Sequence, residues 1–262
     1  YQSNFGQDTC LISPPGTFVP NLSSSIPVRC QSGFFNPNYG STKNDCEAAE
    51  PGHYSVEGSA NQNPCPEGSY QPMPAQSKCL PSNPGNYTPD RILILQCDPG
   101  SFQSEERATE CEKAHPGYYV NLSGQSSPIP CPAGTYSNIF GSTSETDCSV
   151  TPPGYFSLEG SSEITACNPG SYQNNFSSGG CEFAEIGHFV MSFASEHQTP
   201  CPLGEYQPEI GSTSCIPAEK GFFVELSGSA EMTPCPIGSF SPSTSSVSEE
   251  NCTLSAPGYF TL

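Results

Sequence analysis

Fifteen cysteines recur along this 262-residue chain in an alternating rhythm that no single globular core can accommodate. They stand at 10, 30, 46, 65, 79, 97, 111, 131, 148, 167, 181, 201, 215, 235 and 252, with short gaps of 14 to 17 residues separated by long gaps of 18 to 20. Cys30 to Cys235 is 205 residues in six steps, a period of about 34. The text between cysteines recurs with them: Pro51 to Cys79 is PGHYSVEGSANQNPCPEGSYQPMPAQSKC, and Lys220 to Cys252 is KGFFVELSGSAEMTPCPIGSFSPSTSSVSEENC. Seven copies are nearly complete.

Each copy has two related halves. One opens with Pro-Gly-aromatic, as at Pro153-Gly154-Tyr155, and the other with Cys-Pro-x-Gly-x-aromatic, as at Cys131 to Tyr136. Pro presets φ for a turn and Gly supplies the positive-φ or close-approach position. The short aromatic and β-branched stretch that follows, such as Phe222-Phe223-Val224, predicts a strand. A Gly-Ser-Thr turn at Gly40, Gly141 and Gly211 reverses the chain before the closing Cys. Leu, Ile, Val and Phe together number 45, or 17%, too few for a large core, so the aromatics at repeat positions are expected to form miniature cores. They include Tyr54, Phe102, Tyr136 and Tyr172 after the turns, and Phe5, Tyr39, Phe140 and Phe176 before the second one. The expected fold is small, disulfide-rich and all-β or irregular, an elongated tandem array of short β-hairpin repeats stabilised by nearest neighbours.

The repeat boundaries fall at 15–50, 51–83, 84–115, 116–152, 153–185, 186–219 and 220–256, with a partial second half at 1–14 and a partial first half at 257–262. The chain begins with no initiator Met and no charged-then-apolar leader, which points to a mature protein or a fragment of one. Neither end carries an atypical polar cap, so the expectation is a window cut from a longer array, or a protomer whose ends its neighbours complete.

Two disulfide registers are natural. Pairing across the short gaps joins Cys30 to Cys46, Cys65 to Cys79, Cys97 to Cys111, Cys131 to Cys148, Cys167 to Cys181, Cys201 to Cys215 and Cys235 to Cys252, and leaves Cys10 to a partner outside the chain. Pairing across the long gaps leaves Cys252 unmatched. The short register is favoured because the two turns fold that loop back on itself, bringing the Cα atoms toward the roughly 5.5 Å a bridge requires. No Cys-x-x-Cys occurs, which argues against zinc.

The text Cys-Pro-x-Gly-x-Tyr, then Gly-Ser-Thr-Ser, then Cys and Pro-Gly-Tyr resembles the ephrin-receptor-like cysteine-rich repeat, a relative of the tumour necrosis factor receptor modules. The resemblance runs over essentially the whole chain. It implies short β-hairpins strung into a rod, Cys pairing like the short register, and secretion or surface display. This chain departs from the commonest family pattern, since no second Cys closely follows the closing one, as in Cys148-Ser149-Val150-Thr151. Each repeat should therefore hold one bridge.

Composition bounds the partners. A net charge of −19 with seven Lys plus Arg cannot neutralise phosphates, which excludes nucleic acid and anionic membrane surfaces as natural partners. The longest aliphatic run, Ile92 to Leu95, is far short of the roughly 20 residues a bilayer needs. No phosphate loop, nucleophile elbow or His-Glu-x-x-His motif is present, and a repeat array offers equal groups along a line rather than unequal ones converging, so the expectation is no enzyme and no cofactor. His53 and His188 share one repeat slot, His115 precedes Pro116 in a turn, and His197 lies beside Glu196 in a polar stretch. The acidic residues around Glu105-Glu106, Glu182, Glu185 and Glu249-Glu250 suit a solvated surface; calcium at the joints is the sharper alternative, although no Asp-x-Asp-x-Asp-Gly loop occurs. Five N-linked sequons stand at Asn21, Asn86, Asn121, Asn175 and Asn251, the last with Cys252 as its middle residue.

One repeat breaks the text. Ile92, Leu93, Ile94 and Leu95 replace a polar Gly-Ser linker, making an apolar strand that is a candidate contact site for a protein ligand. The blander alternative packs Ile92 and Ile94 inward and leaves Leu93 and Leu95 as isolated surface residues. Two functions fit these features. The leading one is an extracellular structural or adhesive rod, glycosylated and disulfide-ribbed, belonging to a filament or surface fibre through self-association or continuation into further repeats. The alternative is a ligand-binding or stalk ectodomain of a cell-surface receptor.

Overall fold

The computed structural model describes residues 1–256 except Asn4, Gln7 and Leu22; the partial repeat at 257–262 lies outside the described residues. Among the described residues the fold is fourteen two-stranded antiparallel hairpins and two short 3-10 turns, Glu145–Asp147 and Glu249–Asn251. Each strand is two residues long, as in Thr17–Phe18 with Val28–Arg29 and Phe34–Phe35 with Glu47–Ala48. A two-residue ribbon is not stable by itself, so the order must come from what each hairpin meets. The chain divides into two compact units, one of residues 1–114, 119–129 and 140–143, the other of 115–118, 130–139 and 144–262.

Within each unit the hairpins are joined by three recurring backbone hydrogen bonds, which can be followed from hairpin to hairpin. The turn glycine of one hairpin donates to the carbonyl that follows the first strand of the next: Gly33 to Ser55 at 2.7 Å, Gly154 to Gln173 at 2.7 Å, Gly187 to Gln207 at 2.7 Å. The residue after that first strand donates to the next hairpin's loop, as Ser55 does to Gln76 and Val190 to Ser212. Third, a left-handed residue in each loop reaches back two hairpins: Gly58 donates to Cys30 O, Ala75 to Ala49 O, Gly228 to Cys201 O. Within each unit hairpins are thus tied to the next neighbour and to the one beyond, as in a solenoid, except at Gly68 N–H and Cys65 O.

The turn glycine is required by this arrangement. Gly187 has φ +76°, and a Cβ built on it would overlap the carbonyl oxygen of Gly228, the left-handed residue two hairpins on. The left-handed loop position itself is more permissive. Ala75, Arg91, Arg107, Ser177, Ala194 and Ser245 all adopt it with φ between 54° and 65°, although an L residue there costs roughly 1–2 kcal/mol.

Seven bridges tie each first-half hairpin to the second-half hairpin after it: Cys30–Cys46, Cys65–Cys79, Cys97–Cys111, Cys131–Cys148, Cys167–Cys181, Cys201–Cys215 and Cys235–Cys252. Their Cα atoms lie 5.7 to 5.8 Å apart, inside the range a disulfide needs. The first Cys ends one hairpin and, except for the half-buried Cys235, is buried, for example Cys30, Cys97 and Cys167 at 0% exposure. At the corresponding place in the second-half hairpins stand Ala49, Ser82, Ala114, Thr151, Ala184 and Ala218, also at 0%. Close stacking leaves room there only for a small side chain or for a sulfur that is itself bonded onward.

The core differs from the expected aromatic one. Phe102, Tyr119, Tyr172 and Phe223 are buried, and small clusters such as Phe102 with Ala114 and Val120, or Tyr172 with Ala184 and Val190, do form. Phe5, Tyr39, Phe140 and Phe176 do not belong to it: they are 107%, 75%, 63% and 66% exposed. Each immediately precedes the left-handed loop residue, so it sits at the loop apex.

Candidate functional site

Among the described residues no group of three or more His, Cys, Asp or Glu is placed to hold a metal ion. His53 and His188 occupy equivalent strands and make equivalent contacts, Nδ1 to Pro51 O at 3.3 Å and to Ile186 O at 3.1 Å. His197 is exposed in a separate loop. Glu105, Glu106, Glu182, Glu185, Glu249 and Glu250 are exposed too, and Lys43 with Asp45, at 3.6 Å, is a surface ion pair of little energetic weight. Burial, and then the nearby Glu182 and Glu185 carboxylates, push the Tyr172 phenol above its ordinary pKa.

A recurring polar device shapes the second-half loops, and sequence reasoning missed it. Gln71, Gln103, Gln173 and Gln207 each follow the strand aromatic directly. Their Nε2 groups donate to Lys78 O, Glu110 O, Gly180 O and Ser214 O at 2.7 to 2.9 Å, in every case the carbonyl just before the closing Cys. Their Oε1 atoms accept from Met73, Glu105, Asn175 and Glu209 N–H. Gln2 likewise donates to Thr9 O, which puts Cys10, exposed and unpaired, in the slot of a closing Cys. All four bridges with a separation of 14 have this Gln. The two with 17 have Ser137 or Ser241 there, and a 3-10 turn takes up the extra residues. Between repeats, where no bridge crosses, Gln62 clasps Glu50 and Gln198 clasps Glu185, each accepting the backbone N–H at 2.7 Å.

The sequons differ in setting. Asn21, Asn121 and Asn175 are exposed in loops. Asn86 is half-buried in a strand, its Nδ2 donating to Pro84 O at 3.2 Å, and its sequon hydroxyl at Thr88 is only 2% exposed. Asn251 Oδ1 accepts from Val247 and Ser248 N–H at 3.0 and 3.1 Å, closing the second 3-10 turn.

The deviant repeat is where the geometry breaks. The segment Ile92 to Leu95 is not a strand as expected: only Leu95, paired with Tyr87, lies in one. Nor does Ile92 turn inward. It is 38% exposed, with Leu93 at 51% and Leu95 at 41%. The physical reason is length, because the left-handed residue stands five residues before the second strand in the neighbouring first-half hairpins, Gly58 to Asn63 and Gly124 to Ile129, but Arg91 stands four before Leu95. This one-residue deficit disturbs all three backbone ladders at this one place. Gln71 N–H goes to Arg91 O rather than to the residue after it, and the bonds from Gly68 N–H to Thr88 O and from Arg91 N–H to Cys65 O are absent. Thr88 Oγ1, buried, has no hydrogen-bond partner. Asp90 Oδ1 takes over the freed amides, accepting from Ile92 and Leu93 N–H at 2.9 Å each, first the Leu93 and then the Ile92 bond holding its carboxyl below the ordinary range. The result is a cleft of about 410 Å³ lined by Glu67, Gly68, Thr88, Pro89, Asp90, Arg91 and Thr109.

The family model described as tyrosine-protein kinase ephrin type A/B receptor-like matches residues 109–148. That segment is similar to an ephrin-receptor-like repeat. The chain is also similar to sushi, von Willebrand factor type A, EGF and pentraxin domain-containing protein 1 of Rattus norvegicus, 30% identical over 155 residues, which is 57% of this chain and 4% of that protein. Signal peptide, CUB and EGF-like domain-containing protein 2 of Danio rerio is 34% identical over 109 residues, covering 40% of this chain and 10% of its own length. The Mus musculus protein 3 of the same name is 30% identical over 106 residues, 37% and 11%. The chain therefore spans about a tenth or less of these relatives. With seven bridges, which persist in oxidising surroundings, it is a disulfide-rich extracellular or cell-surface protein.

Proposed function

We propose that the chain is a structural segment of an extracellular filament or surface fibre, working through its stacked hairpins rather than through a catalytic centre. The observation that carries this reading is the repetition of one joint, in which a turn glycine, a left-handed loop residue and a small closing residue bind each hairpin to the next two. A joint made almost entirely of main chain can be reused without limit, and it tolerates an acidic, variable surface. The repeat boundaries given above are kept as the proposed units. Glycans on the exposed Asn21, Asn121 and Asn175, and with poorer access on Asn86 and Asn251, would shield the loops, and Cys10 is assigned a partner outside the chain. No cofactor is part of the proposal, and self-association or continuation into further repeats is. Electron microscopy of the native, unreduced material tests it: fibres with a regular axial repeat are expected, and discrete particles at all concentrations would refute it.

A second reading, a ligand-binding ectodomain segment, is favoured by one observation, the register break and its cleft in the third repeat.

A further inference from the structure

We propose that the cleft of the third repeat is a docking site for an extended, basic segment of a protein partner, which pairs main chain to main chain where the hairpin ladder is interrupted. The proposal rests on the ligand-binding reading and holds whether or not the chain assembles into fibres.

The groups left over by the one-residue deficit define the ligand. Gly68 N–H is a buried donor whose counterpart in the other hairpins is satisfied by a neighbouring main-chain carbonyl, as Gly52 N–H is by Gln71 O and Gly85 N–H by Gln103 O. Cys65 O, three residues earlier and in a residue 1% exposed, is an acceptor whose counterparts Cys30 O and Cys97 O are met by the N–H of Gly58 and Gly124. A donor and an acceptor that elsewhere meet main chain are complemented by another main chain, the logic by which extended peptides add to open backbone edges. Thr88 Oγ1 supplies an independent mark. It lies in a side chain 2% exposed, lines the cleft and has no partner, and a buried hydroxyl left unpaired costs roughly 1–3 kcal/mol. The corresponding positions hold Val120, Val190 and Val224, or a serine whose hydroxyl is bonded, as Ser55 is to Phe34 O and Ser157 to Thr135 O.

Side-chain chemistry sets the rest. Ile92, Leu93 and Leu95, all partly exposed, follow the cleft residue Arg91 along the chain and are proposed to seat an aliphatic side chain of the ligand. Glu67, Asp90 and Arg91 line it, which leaves one net negative charge. Asp90 uses only Oδ1 for the loop amides, so Oδ2 is available to a cation. With the chain at −19, a segment alternating Lys with β-branched residues is complementary.

The experiment titrates the full, unreduced chain with a capped, fluorescently labelled hexapeptide alternating Lys and Val, and with its Glu-Val counterpart. The Lys-Val peptide is expected to bind, and the Glu-Val peptide at least about tenfold more weakly. Three variants locate the site. Thr88→Val installs the residue found in the equivalent hairpins and should raise the melting temperature while weakening binding several-fold. Inserting one serine between Ile92 and Leu93 restores the loop length, closes the ladder and should reduce binding at least about tenfold. Leu93→Ser, on an exposed side chain, should weaken binding with unchanged melting. In the free chain the Gly68 amide should exchange at least about tenfold faster than those of Gly52 and Gly85, and slow on peptide addition. The proposal is overturned if neither peptide binds at about 1 mM, so that the cleft holds only water, if the serine insertion binds as tightly as the parent, or if Gly68 is already as protected as its counterparts. A failed fibre in microscopy with these results intact would remove the filament reading and leave this one standing.

Discussion

Gly187 and Gly228 have nearly the same φ, +76° and +78°, yet occupy opposite sides of one joint, so replacing each by Ala separates backbone preference from steric overlap. At Gly228 a Cβ meets nothing nearer than Pro200 at 3.6 Å, an ordinary contact. Gly228→Ala should therefore cost only the left-handed penalty, roughly 1–2 kcal/mol. At Gly187 the new methyl would occupy the place of the Gly228 carbonyl oxygen, and the hairpins must part. Parting them breaks the bonds Gly187 N–H to Gln207 O at 2.7 Å and Gly228 N–H to Cys201 O at 2.9 Å. At about 1 kcal/mol each, these add roughly 2 kcal/mol to the common penalty. The assay is hydrogen exchange of the amides of residues 187 and 228 in the unreduced protein. Relative to Gly228→Ala, Gly187→Ala should speed the residue 228 amide by about thirtyfold, 1.4 kcal/mol being tenfold. Equal exchange in the two variants would refute the claim that main-chain overlap, rather than φ, dictates the turn glycine.

Gln173→Ala removes a side chain 4% exposed that bonds Gly180 O at 2.8 Å and Asn175 N–H at 2.9 Å, so it should destabilise by about 1–3 kcal/mol and speed reduction of Cys167–Cys181 by dithiothreitol; an unchanged reduction rate would count against a loop-closing role. Ser177→Gly, at φ 56°, relieves a left-handed serine and should raise the melting temperature by a few degrees, a gain that thermal denaturation would detect and that must be absent in Gly141→Ser. Asp90 has its folded pKa lowered by the Leu93 and Ile92 amides, so its contribution is present above the unfolded pKa and is lost as pH falls through the folded one. The Ile92 and Leu93 amides should loosen below about pH 4, and Asp90→Asn should abolish that pH dependence in exchange measurements.

How much of this was legible in the sequence depends on the kind of force involved. The Cys rhythm, the Pro-Gly turns and the hairpin halves are written in residues with sharp conformational or covalent demands, and the fold class follows from them. The aromatic core was over-drawn because hydrophobicity does not say whether a residue sits under a neighbour. Tyr172, in a strand, is covered, whereas Phe176, four residues on at a loop apex, is not. The Gln device was visible in principle, since Tyr70-Gln71, Phe102-Gln103, Tyr172-Gln173 and Tyr206-Gln207 all carry it and Tyr136-Ser137 replaces it where the Cys gap lengthens. Its meaning needed the carbonyl it reaches.

The apolar run at Ile92 to Leu95 drew attention in the sequence by its composition, but what makes it consequential is the missing residue. In a fold whose contacts extend only to the next two hairpins, a deletion cannot be absorbed by a common core, and equally it cannot spread. The ladders before and after it, Gly33 N–H to Ser55 O and Gly85 N–H to Gln103 O, stay intact. A one-residue change in loop length can therefore leave two backbone groups without their ladder bonds beside a cleft at a single step, and leave the rest of the array unaltered. In such an architecture specificity is obtained most readily by interrupting the repeat, so a recognition site is to be sought at the least regular hairpin rather than at the most exposed aromatic.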